Sequence, residues 1–66
     1  MQTSDIAAKD LVEGQMVVIT LADGTEFTQI IREVYTREDM RVGLDLTTMG
    51  LTDRDPDEMV TVVAEL

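Results

Sequence analysis

At 66 residues the chain has room for one core, and a domain of this size buries only about 60% of the surface that its unfolded chain exposes. It holds no cysteine and no histidine, which excludes disulfide staples, thiolate or histidine zinc sites and the common nucleophile–histidine catalytic pairs. Fourteen Asp and Glu against five Lys and Arg leave a net charge of -9, which disfavours non-specific binding to nucleic acid or to an anionic membrane.

In chain order, residues 3–13 offer Thr3, Ser4 or Asp5 as an N-cap, and Ala7, Ala8 and Lys9 favour a helix. Ile6, Ala7, Leu11 and Val12 stand near helical spacing, so a short N-terminal helix ending at Gly14 is predicted. Gln15 to Leu21 is rich in β-branched residues that alternate, with Val17, Ile19 and Leu21 on one face, which reads as a strand. Asp23-Gly24 then sits between two apolar runs and predicts an antiparallel hairpin, because glycine takes a positive φ without steric cost. The returning strand spans Glu26 to Tyr35; its apolar positions Phe27, Ile30, Ile31 and Val34 break strict alternation and predict a bulge or bend near Gln29 to Ile31.

After the charged turn Thr36 to Asp39, the residues Met40, Val42, Leu44 and Leu46 alternate with polar positions as a third, half-buried strand. Residues 47–58 read as a longer loop, within which Asp55, Pro56 and Glu58 predict one short helical turn with a capping box. Val60 to Leu66 reads as the closing strand. The expected core is aliphatic, built from Ile6, Leu11, Val17, Ile19, Leu21, Ile30, Ile31, Val34, Val42, Leu44, Leu46, Val60, Val62 and Val63 with the aromatics Phe27 and Tyr35. The expectation is one mostly β domain over 1–66: a small barrel of four to five bent antiparallel strands with a short N-terminal helix.

Leu11, Gly14, Val17, Ile19, Leu21, Asp23, Gly24 and Phe27, followed by Ile31, Met40, Val42, Leu44 and Asp45, resemble the first conserved motif of Sm-like proteins, a family of small bent SH3-like barrels. The resemblance covers about half of the chain. It implies the barrel and its N-terminal helix, RNA as a possible partner, and assembly through strand edges. Three positions depart from the family pattern: Gln29 stands where a glycine is usual, Arg37 to Arg41 replace the RNA-binding loop, and the second, Arg-Gly motif is missing from residues 47–66.

No carboxylate pair is distinguished from the other acids, so neither catalytic residues nor a cofactor are assigned and a non-catalytic interaction module is expected. Its partner would be a protein or a second copy; the alternatives are an RNA-binding Sm-like protein and a weak divalent-cation domain. Asp53, Asp55 and Asp57 match the alternating start of a calcium loop, but Glu58 and Ala64 fail the motif's turn-glycine and closing-glutamate positions, and no metal ligand is assigned. Arg32, Arg37 and Arg41 around Tyr35, with Met40, form the candidate binding surface, since arginine and an aromatic can stack on bases or clamp phosphates, while surface ion pairing across a hairpin end explains the same residues more simply. Met40, Met49, Leu51 and Met59 with the closing strand are a second, adaptable apolar set suited to a partner strand, although core filling or loop packing explains them more simply.

The acids spread along the whole chain beside a single lysine, a composition that resembles cytoplasmic proteins of extreme halophiles. With no apolar run of membrane-spanning length and neither a basic start nor a signal-like apolar stretch in MQTSDIAAKD, a soluble cytoplasmic protein outside the membrane is expected.

Overall fold

The computed structural model describes residues 2–65 and is almost entirely β. Six antiparallel strands, β1 (Gln2–Ala7), β2 (Met16–Thr20), β3 (Glu26–Thr36), β4 (Val42–Leu46), β5 (Gly50–Arg54) and β6 (Met59–Glu65), form one sheet in the order β1-β6-β2-β3-β4-β5. Leu66, expected at the end of the last strand, lies outside the described residues.

The curvature originates in β3. Its first half pairs with β2, from Met16 opposite Ile30 to Thr20 opposite Glu26, and its second half pairs with β4, from Ile31 opposite Leu46 to Thr36 opposite Val42. The register shifts between Ile31 and Glu33, next to the bend expected from the broken alternation. The two halves of the sheet thereby enclose one core of Val17, Ile19, Ile31, Val42, Leu44, Leu46, Val60 and Val62, with Ala8 and Leu11 beneath and Ile6 and Val34 packed against it.

The sheet is open and the expected closed barrel is not formed. β6 lies between β2 and β1, so the edge of β6 that a closing strand would need is already filled, and β1 and β5 remain as the two edges. The N-terminal helix is likewise corrected: Gln2–Ala7 is strand and only Ala8–Asp10 makes a single 3-10 turn. An isolated helix this short is marginal in water, whereas pairing with the β-branched run Val60-Thr61-Val62-Val63 gives the segment backbone partners along one side. The Ala8 and Lys9 amides donate to the carbonyls of Glu58 (2.9 Å) and Pro56 (3.0 Å), which docks the turn and buries Ala8 completely.

Three further expectations change. The loop expected over 47–58 contains β5, an edge strand whose polar Thr52, Asp53 and Arg54 carry no alternating apolar signal. Asp55 to Glu58 is a single β-turn rather than a helical one, closed by Glu58 N–H donating to the Asp55 carbonyl (3.0 Å), and Asp55 and Glu58 spend their side chains on Arg41 and Arg54 instead of a capping box. Tyr35, Phe27, Leu21 and Ile30 were expected in the core but are 37%, 42%, 39% and 43% exposed: Ile30 sits beside Met16 on the outward face, Leu21 and Phe27 at the hairpin end, and Tyr35 on the outward face of β3.

Candidate functional site

The loop that carries Arg37, Met40 and Arg41 has the same backbone pattern as the Asp23-Gly24 hairpin. In that hairpin Leu21 N–H donates to Thr25 O (2.8 Å), Gly24 N–H to Leu21 O (2.9 Å), and the Asp23 carboxylate accepts Thr25 N–H (2.9 Å). Between β3 and β4, Arg37 N–H donates to Arg41 O (2.8 Å), Met40 N–H to Arg37 O (3.0 Å), and Asp39 accepts Arg41 N–H (3.1 Å). The left-handed position is Gly24 at φ 90° in the first and Met40 at φ 70° in the second, so Met40 holds a conformation that L side chains rarely adopt. It does so while 70% exposed, with little packing to hold it there.

This turn sets Arg37 and Arg41 beside the end of β5. Arg41 donates from Nη2 (2.9 Å) and Nε (3.2 Å) to Asp53 Oδ1 and from Nη1 to Asp55 Oδ1 (2.5 Å). Arg37 binds the other Asp53 oxygen and reaches Asp39 at 3.5 Å. The hydrogen bond that Arg41 donates to Asp53 raises its pKa above the ordinary value, with the nearby charges of Asp53, Asp55 and Asp39 adding to it against partial desolvation. Two guanidinium groups therefore meet three carboxylates, and the cluster presents no net positive surface. Arg32 lies in the β3 bulge and joins no ion pair among the described residues.

Tyr35 is brought to the cluster by a different route. It pairs with Gly43, which pairs with Asp53, so the three stand in one row across β3, β4 and β5. Its ring lies over Gly43 and fills the space that a Cβ there would need, which is why Gly43 is buried on an outward face. A pocket of about 360 Å³ opens nearby, lined by Lys9, Val34, Tyr35, Thr36, Met40, Val42 and Pro56.

The calcium-like triad is dispersed onto cations. Asp53 and Asp55 hold the arginines, and Asp57 faces Lys9 Nζ at 3.1 Å, whose pKa is raised by that hydrogen bond and by the Asp57 charge. Among the described residues no group of three acidic side chains is arranged to hold a metal. Met40, Leu51 and Met59 are 70%, 72% and 58% exposed and Met49 40%; Met40 lies in the β3–β4 turn, Met49 in the β4–β5 turn, Leu51 in β5 and Met59 in β6.

Gln29 is the residue whose role the sequence concealed. Only 8% exposed, it turns its Oε1 to the amides of Thr48 (2.9 Å) and Met49 (3.2 Å), and so ties the bend of β3 to the β4–β5 turn that launches the edge strand. Its identity as a polar residue where a bent strand would favour glycine was the one available signal. No protein family, no curated protein and no solved structure matches the chain.

Proposed function

We propose that the chain is a non-catalytic interaction module, related in design to small Sm-like and SH3-like domains, that engages a protein or a second copy of itself through a strand edge. The observation that carries this reading is the open sheet: β1 and β5 each pair on one side only, and β5 places Leu51, 72% exposed, at its rim. The arginine cluster is the weaker surface, since its charges are spent on Asp39, Asp53 and Asp55, and this speaks against RNA as the partner. A salt-rich cytoplasm is the setting that the charge composition favours. Among the described residues no helix is long and apolar enough to cross a membrane.

Light scattering over a concentration series in molar potassium chloride, with affinity capture from the source cells at the same salt, tests the reading on the wild type and Leu51→Lys. Assembly or a retained protein that Leu51→Lys loses is expected. Monomers of both chains with identical capture profiles would overturn it.

A further inference from the structure

We propose that the edge of β5 accepts an extended, basic segment of a protein partner as a seventh strand, with a Lys or Arg of that segment crossing Leu51 to the carboxylate of Asp45, whose negative charge Glu33 reinforces. The inference rests on the interaction-module reading and specifies its edge and its partner.

Register places the residues concerned. Leu51 on β5 is opposite Asp45 on β4, and Asp45 is opposite Glu33 on β3, so the three side chains form one row on a single face of the sheet. Val34, Leu44 and Leu46 point the other way into the core, which makes this row the outward one. Glu33 and Asp45 are like charges directly opposite each other, an arrangement that costs a free sheet stability, and neither is in an ion pair among the described residues.

Neighbouring cations do not relieve them. Arg37 and Arg41 are held by Asp39, Asp53 and Asp55, and Arg54 by Glu58, the Thr52 hydroxyl and the Asp53 carbonyl. Arg32, in the bulge next to Glu33, is the remaining local cation.

Strand spacing decides how a partner would reach the pair. Adjacent strands lie about 4.8 Å apart, so Asp45 is two strand spacings from an added strand beside β5. A Lys or Arg opposite Leu51 spans that distance with its aliphatic stem on the leucine and its head at Asp45, while Glu33, one strand further, adds to the attraction through its charge without contact. The open backbone groups of β5 supply the ladder, and the row supplies the preference for a basic residue over an acidic one. A second copy fits less well, because it brings its own charge of -9 to the same edge.

The test is a titration of the isotope-labelled full chain, followed by amide shifts, with two peptides, acetyl-Val-Lys-Val-Lys-Val-amide and its Glu counterpart, at 0.2 M and 2 M potassium chloride, roughly 7 Å and 2 Å of screening length. Expected are saturable shifts along Gly50–Arg54 and at Asp45 with the basic peptide, at least about tenfold tighter binding than the acidic one, and a preference that shrinks at 2 M. Glu33→Gln/Asp45→Asn is expected to bind both peptides equally and to melt higher than the wild type, which separates lost recognition from lost folding. Equal binding of the two peptides by the wild type, or shifts confined to β1, would overturn the inference. Self-association through Leu51 without peptide binding overturns it and leaves the interaction module standing; failure of both experiments removes both.

Discussion

Met40 occupies a backbone conformation that the matching turn assigns to Gly24, and a non-glycine residue there costs roughly 1–2 kcal/mol. With the side chain 70% exposed, Met40→Gly removes the strain and little packing, so urea unfolding is expected to show a gain of about 1 kcal/mol. A loss would mean that the methionine is held by contacts on the nearby pocket. Asp23 gives the corresponding acid-sensitive point: its pKa is lowered, first by the Thr25 amide and then by the Thr25 hydroxyl. A depressed carboxylate contributes stability that is fully present above its unfolded pKa and disappears as pH falls through the folded one. Asp23→Asn accepts the same amide without titrating, and its unfolding curve is expected to lose that part of the acid dependence. Both turns keep their defining residues in the sequence, Asp-Gly and Asp-Met, yet only the first could be read, because glycine announces a positive φ and methionine does not.

At the scale of elements, the join between β3, β4 and β5 depends on one side chain. Gln29→Leu keeps the volume of the buried site but leaves the Thr48 and Met49 amides without their acceptor. Amide hydrogen exchange at those two residues is expected to accelerate more than at the β2–β3 pairing, with a cost of about 1–2 kcal/mol in stability. Uniform exchange across the domain would assign Gln29 a packing role alone. Gly43 under Tyr35 is a second device of the same join: Gly43→Ala forces the ring aside, and a double-mutant cycle with Tyr35→Ala is expected to show a smaller penalty for the alanine when the ring is gone. The strands β2, β4 and β6 were legible because their β-branched and apolar residues alternate against one core, and β3 because it returns from the Asp-Gly hairpin. β1 and β5 were not, since an edge strand exposes most of its side chains and needs only a neighbour's backbone.

For the whole molecule, charge and contact pull in opposite directions as salt rises. Screening weakens the exposed ion pairs of Arg37, Arg41 and Lys9, which contribute little at a solvated surface, but it also relieves the repulsion summed over a net charge of -9. The repulsion involves more pairs and acts over longer range, so it wins: the melting temperature is expected to climb steeply between dilute buffer and molar potassium chloride. A melting temperature independent of salt would remove the salt-adaptation reading. Composition and alternation, which are local and additive, were enough to predict a mostly β chain, its aliphatic core from Val17 to Val62, the Asp-Gly hairpin and the bend of β3. Only the tertiary structure decided that the sheet stays open, that residues 2–7 become a strand, and that Asp53 and Asp55 serve arginines rather than a cation. Each of those outcomes depends on which distant segment supplies a backbone partner or a countercharge, and neither the period of a segment nor its own composition contains that information.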